Sequence, residues 1–295
     1  MAKPQQIFSL LRVHQWVKNI FIFLPIFFGL KIMQLNLLLN DVYAFIGFSF
    51  FASAVYIFND LIDVEADRLH PKKQFRPIAA GLVTTRQALI IILVLVGAGS
   101  LLLFLTLNQP LIWVLVIIYL VQNLLYTVKL KHIAIVDIVI IALGFLIRIV
   151  LGGIVTNTPL SHWIVLITFL LALFLALAKR RDDVLLFEKT GNKMRSNIDG
   201  YNLDFLNVSM SIMSAVVIVA YIMYTTSPDV VRMVGEKVYV TSFFVVIGVM
   251  RYLQVTFVKH ESGNPSIILL RDRFLQLTIA GWLATFFILL YTNTL

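Results

Sequence analysis

The feature that most constrains this chain is a repeated apolar run. Nine stretches of about 17 to 25 mostly aliphatic and aromatic residues follow one another, the length a helix needs to cross roughly 30 Å of hydrocarbon. They fall at about 19–38, 42–62, 87–107, 111–128, 133–155, 162–178, 204–226, 238–258 and 274–293. With 13% charged residues and a mean hydropathy of +0.93, the 295 residues lack the polar surface that a water-soluble domain needs. The sequence predicts an all-α integral membrane protein of nine transmembrane helices, a single domain over 1–295.

Placing the N-terminus in the cytoplasm puts twenty of the twenty-four Lys and Arg residues on that side. Lys31, Arg232 and Lys237 fall outside, and Arg148 lies within an apolar run. The positive-inside rule then predicts that the active side is cytoplasmic and the C-terminus outside, and the expected location is a bacterial-type inner membrane. The net charge of +9 follows the ends of the apolar runs rather than one basic tract, which argues against nucleic acid as a partner. The absence of cysteine excludes disulfides, thiolate metal sites and thiol catalysis, so a bound metal would need oxygen or histidine ligands. No small-residue cleavage site follows Arg12 and Lys18, and the first helix is read as uncleaved. Most of the charge lies in two long cytoplasmic loops, about 63–86 and 179–203.

The first loop opens on Asn59-Asp60-Leu61-Ile62-Asp63-Val64-Glu65-Ala66-Asp67. On a helix, Asn59, Asp63 and Asp67 recur one turn apart and stack three oxygen ligands on one face, a pattern suited to a hard cation such as Mg²⁺. Mg²⁺ is usually held by one or two carboxylates plus substrate phosphate oxygens, so a half-open acidic cluster suits a diphosphate substrate. The bland alternative is a solvated helix end, but four acids between positions 60 and 67 repel one another without a cation. His70-Pro71-Lys72-Lys73-Gln74-Phe75-Arg76-Pro77 follows, where Lys72, Lys73 and Arg76 suit a phosphate or a leaving diphosphate. Juxtamembrane cations also serve topology or anionic lipid alone.

The second loop carries Lys179-Arg180-Arg181-Asp182-Asp183, then Lys193, Arg195, Asp199 and Tyr201. Lys179 and Asp183 stand at i, i+4, where a surface pair and a substrate contact are equally compatible with the spacing. Trp16 beside Lys18 is consistent with a lipid headgroup contact or with a plain aromatic-belt anchor, and Trp16 reads as the anchor. Asp137 and Arg148 lie three turns apart inside the fifth run, where a charge is normally paired or lines a polar cavity.

Asn59-Asp60-x-x-Asp63-x-x-x-Asp67 resembles the NDxxDxxxD signature of the UbiA superfamily of intramembrane prenyltransferases. Three further stretches resemble that superfamily's decaprenyl-phosphate phosphoribosyltransferase branch: His14–Asn19, Asp63 through Arg76-Pro77-Ile78-Ala79-Ala80-Gly81, and Leu270-Arg271-Asp272-Arg273. The resemblance implies helices bundled around a central cavity open to the cytoplasm. It also implies transfer of 5-phosphoribose from phosphoribosyl diphosphate to a polyprenyl phosphate, for cell-envelope glycan synthesis. Asn59, Asp63 and Asp67 would hold Mg²⁺, and Asp60, Asp63, Lys73 and Arg76 would stand at the reacting centre. Lys18, Lys72, Lys73, Arg76, Lys179, Asp183, Arg195 and Tyr201 would contact substrate, and a homo-oligomer is left open.

The rival enzyme is an aromatic-substrate prenyltransferase using a prenyl diphosphate, whose relatives carry a second DxxxD motif. Here Leu186 and Phe187 stand four residues beyond Asp182 and Asp183, where that motif needs a carboxylate. A transporter would place its polar site at the membrane midplane between repeats, whereas here the polar mass gathers at one face.

Overall fold

The computed structural model describes residues 4–69, 73–106, 109–191, 197–259 and 265–293. The described residues form helices and turns, without strands. The chain begins with α1 (Pro4–Leu11), a 3-10 helix (Val13–Phe23), α2 (Leu24–Phe28), the long α3 (Leu35–Ile62) and the short α4 (Val64–Leu69). Then follow α5 (Thr85–Phe104), α6 (Pro110–Val128), α7 (Val136–Val155) and α8 (His162–Thr190). The last elements are α9 (Leu203–Thr226), α10 (Pro228–Val234), α11 (Thr241–Phe257), α12 (Pro265–Arg271) and α13 (Arg273–Asn293).

Eight of the described helices are long and apolar enough to cross a membrane, and the protein is a multi-pass membrane protein. Leu93, Leu101, Ile117 and Leu277 point outward from four-turn and longer helices, as lipid-facing side chains do. The first expected helix, 19–38, is built differently. Pro25 starts α2, Gly29 caps it and Leu30 takes a left-handed φ of 58°, so the chain turns before α3 begins at Leu35. The 3-10 portion rises about 2 Å per residue, and with α2 the segment reaches roughly 30 Å despite its few residues. A second difference concerns the later loop: α8 continues from the apolar run to Thr190 and stops at Gly191, whose φ is 67°. Lys179 through Asp183 therefore sit on a helix.

The chain folds as two compact units. One holds Met1–Leu130 and Ile147–Leu160, the other Lys131–Leu146 and Ser161–Leu295. In the first, Phe48, Phe51, Tyr119 and Leu151 form the core. Gly47 of α3 and Gly99 of α5 meet there so closely that a Cβ on Gly99 would come 2.9 Å from the Gly47 carbonyl oxygen. In the second, Phe174, Leu206, Met210, Tyr252 and Val255 pack together. At its end Arg251 grips Asp272 at 2.7 Å, and Asp272 accepts from the Leu275 N–H at 2.9 Å, capping α13. The Arg251 guanidinium holds the Asp272 carboxyl below the usual carboxylate range.

Candidate active site

The acidic motif lies where α3 gives way to α4. Asp63 ends α3, yet its N–H donates to Asn59 (2.9 Å) and its carbonyl accepts from Asp67 (2.8 Å), so the one-turn spacing of Asn59, Asp63 and Asp67 survives the break. Asp60 and Asp67 are 3% and 2% exposed. Carboxylates so deep need compensation, and the chain supplies it. One nitrogen of Arg76, Nη1, lies 3.0 Å from Asp60 Oδ1 and 2.5 Å from Asp67 Oδ2. Arg12 donates to Asp60 as well, and Lys73 Nζ lies 3.8 Å from Asp67. The loop that brings Arg76 back is anchored beyond it: Ile78 and Val83 are buried with Leu10, Ala54 and Ile57. Gly81, at φ 72°, makes the turn that a side chain would strain. Asn59 accepts from the Thr127 hydroxyl at 2.6 Å.

Among the described residues, no group of three or more His, Asp or Glu side chains converges as a metal cage. Two carboxylates, Asp60 and Asp67, do converge, on the single nitrogen of Arg76. An all-oxygen set that gathers two carboxylates around one positive point fits a hard divalent cation completed by substrate oxygens.

A second charged cluster occupies the other unit. Arg180, fully buried on α8, lies 2.7 Å from Asp137 Oδ2 and donates to Asp183. The Tyr201 hydroxyl donates to Asp137 at 2.5 Å and accepts from the Ile135 N–H at 2.7 Å. Burial, and next the bond to Asp137, push the Tyr201 hydroxyl's pKa up. Arg181 donates to Asn207 (2.7 Å) and to the Thr256 carbonyl (2.9 Å) with its guanidinium over the Phe257 ring. Phe187, which stands where a second DxxxD would need its carboxylate, packs against this unit's apolar core.

Asn59, Asp60, Asp63, Asp67, Lys73 and Arg76 are thus brought together at one end of α3. Lys18 lies on the 3-10 helix in the same unit. Asp183 and Tyr201 meet through Arg180 and Asp137, and Lys179 is half-buried on α8. Lys72 and Arg195 lie outside the described residues. Sequence reasoning gave Arg12 a role only in topology, and it missed Thr127 and Arg180. No local signal could have found Arg12 or Thr127, because their partners lie 48 and 68 residues away. Arg180 carried one, a place in the Lys179-Arg180-Arg181 run that follows an apolar stretch.

With the fold and the acidic cluster described, comparison with known proteins decides the family. The profile of the UbiA prenyltransferase family matches residues 22–277. The chain belongs to the UbiA prenyltransferase family. It is 36% identical to the decaprenyl-phosphate phosphoribosyltransferase of Mycobacterium tuberculosis, over 93% of this chain and 91% of that one. It is 31% identical to the enzyme of the same name from Corynebacterium glutamicum, over 92% of this chain and 82% of that one. Among solved structures, a UbiA homolog from Archaeoglobus fulgidus bound to DMAPP and Mg²⁺ shares the fold at a TM-score of 0.70 and 16% identity, covering 96% of this chain and 98% of that one.

Proposed function

We propose that this UbiA-family chain transfers 5-phosphoribose from phosphoribosyl diphosphate to a polyprenyl phosphate, yielding polyprenylphosphoryl-5-phosphoribose and diphosphate. The observation that carries the reading is its similarity, along nearly the whole length of both chains, to enzymes named for that transfer. The acidic cluster supports it, since its all-oxygen donors and neighbouring cations suit a metal-bound diphosphate.

In this reaction an oxygen of the acceptor phosphate bonds to ribose C1 as the C1–O bond to diphosphate breaks, and the electron pair departs with the diphosphate. A phosphate monoester is anionic near neutral pH, so the nucleophile needs no strong general base. Mg²⁺, when bound, neutralises charge on the leaving diphosphate; Asn59, Asp63 and Asp67 would hold it, with Asp60 beside them. Arg76 has five N–H donors, and one nitrogen already spans Asp60 and Asp67. As the donor binds, Arg76 would exchange carboxylate for phosphate oxygen and, with Lys72 and Lys73, hold the departing anion. Lys179 and Arg195 are assigned to the remaining phosphate contacts, and Asp183 and Tyr201 to fixing the helix end that carries Lys179. Catalysis is then positioning and charge stabilisation. The segment Val13–Phe28, about as long as the apolar layer is thick, supplies the ninth crossing, with the acidic cluster on the cytoplasmic side of a bacterial inner membrane.

The test is incubation of purified protein with Mg²⁺, labelled phosphoribosyl diphosphate and polyprenyl phosphates, followed by lipid extraction. Label is expected in the organic phase. Turnover with a prenyl diphosphate and an aromatic acceptor, and none with phosphoribosyl diphosphate, would replace this reading by prenyl transfer.

A further inference from the structure

In the first unit, α6 carries a polar face that the acidic cluster does not account for. Ile117, Val121, Leu124 and Val128 lie along one side of the helix and are exposed, as lipid-facing side chains are. The opposite side holds two neighbouring rows at one-turn spacing, Tyr119, Asn123 and Thr127 in one and Gln122 and Tyr126 in the other. Polar side chains gathered on one side of an apolar helix are costly in a bilayer unless they are used.

Both ends of this face are tied to α3. The Thr127 hydroxyl lies 2.6 Å from Asn59 Oδ1 and 2.8 Å from the Asn123 carbonyl oxygen, and the Tyr119 ring lies against Phe48 with centres 4.6 Å apart. Between Phe48 and Asn59 the same side of α3 carries Ala52 and Val55, both buried and apolar. The polar groups that a ligand meets beside Asn59 therefore include those of α6. Asn123 Nδ2 donates to the Tyr119 carbonyl of its own helix at 2.8 Å. That bond fixes the amide with its nitrogen on the backbone and leaves Oδ1 as an acceptor for a hydroxyl. Gln122, Asn123 and Tyr126 are half-buried, whereas Tyr119 and Thr127 are sealed, so a ligand reaches the middle of the face without unpacking its ends. Asn123 stands one turn from Thr127, about 5.4 Å along the axis. In a phosphoribosyl donor, ribose C1 is bonded directly to the diphosphate. A diphosphate held at Asn59, Asp63 and Asp67 thus brings its ribose beside the last two turns of α6.

We propose that Asn123, with Gln122 and Tyr126, forms the subsite that receives the ribose of the donor, Asn123 Oδ1 accepting from one hydroxyl of its vicinal diol. This rests on the reaction proposed above and deepens it: the acidic cluster holds the diphosphate, and α6 distinguishes a pentose from a hydrocarbon chain. A site built to bond a hydroxyl rejects a donor that lacks one, because its own polar groups are then left unpaired.

The test separates sugar from diphosphate, with the full chain in nanodiscs of neutral phosphatidylcholine. Binding is measured in Mg²⁺ for phosphoribosyl diphosphate, inorganic diphosphate and geranyl diphosphate. The parent is expected to bind phosphoribosyl diphosphate at least about tenfold more tightly than inorganic diphosphate. Asn123→Leu should weaken phosphoribosyl diphosphate about five- to tenfold and leave inorganic diphosphate within about twofold, the second result also showing that the variant is folded. Tyr126→Phe keeps the ring, should cost about threefold in the same selective way, and decides the matter if Asn123→Leu fails to fold. Equal weakening of both probes would place Asn123 in the metal site rather than at the sugar and overturn the subsite. Unchanged binding of phosphoribosyl diphosphate in the variants, with the parent still preferring it to inorganic diphosphate, would overturn the subsite and leave the reaction standing. A parent that binds phosphoribosyl diphosphate no better than inorganic diphosphate, and geranyl diphosphate more tightly, would overturn the reaction and the subsite with it.

Discussion

The two charged clusters are made from the same residue types and behave differently. At the end of α3 two carboxylates share several cations, and two of these, Arg76 and Lys73, lie on a loop and are 27% and 38% exposed. On α8 one fully buried arginine sits between Asp137 and Asp183, with Tyr201 closing the group. Cations that water can reach exchange partners at low cost, whereas a guanidinium sealed in an apolar interior cannot leave without stranding two carboxylates. The first cluster is therefore suited to trading its internal cations for a metal-bound diphosphate. The second holds the fold, which is also why Asp183 makes a poor start for a second metal motif.

The largest effect that would break this contrast is expected at the buried arginine. Arg180→Leu should cost about 3–5 kcal/mol in detergent-titrated unfolding, because it leaves Asp137 and Asp183 without their shared cation. If the variant unfolds like the parent and loses only turnover, the second cluster belongs to the reaction after all. The opposite pattern is expected of Asp67→Asn, which keeps an oxygen for Arg76 but removes the charge. Turnover should fall at least about a hundredfold, roughly 2.7 kcal/mol in the barrier, with unfolding nearly unchanged. Labelled-lipid formation decides it, and more than about a tenth of the parental rate would detach Asp67 from the metal. The smallest effect sharpens the picture within the first cluster. Thr127→Val removes the hydrogen bond on Asn59, worth about 1 kcal/mol, and should raise the Mg²⁺ concentration for half-maximal turnover about fivefold. An unchanged Mg²⁺ dependence would show that Asn59 is no ligand.

The acidic motif was legible because it is local. Residues one turn apart on a helix must share a face, and the hydrogen bonds from Asp63 to Asn59 and from Asp67 to Asp63 keep that spacing across the α3–α4 break. Asp60 and Asp67 were less legible as a pair. They stand seven residues apart, and what brings them to one point is Arg76, returned by a loop whose anchors, Ile78 and Val83, become visible only in the packed core. The first apolar run was misjudged for a related reason. Hydropathy counts residues per crossing at the rise of an α-helix and has no means of registering a 3-10 segment, which covers more distance with fewer residues.

The sequence by itself determined that this chain is a multi-pass membrane protein and that an acidic motif ends one of its helices. Each of these depends on composition or on spacing within a single element. Only the tertiary structure decided which charges meet. Arg12 with Asp60, Thr127 with Asn59, Arg180 with Asp137 and Arg148 with Asn19 join positions 48, 68, 43 and 129 residues apart. The physical reason is that a charge excluded from water is satisfied by whichever polar group packing brings within about 3 Å, and helical periodicity carries no information about neighbouring helices.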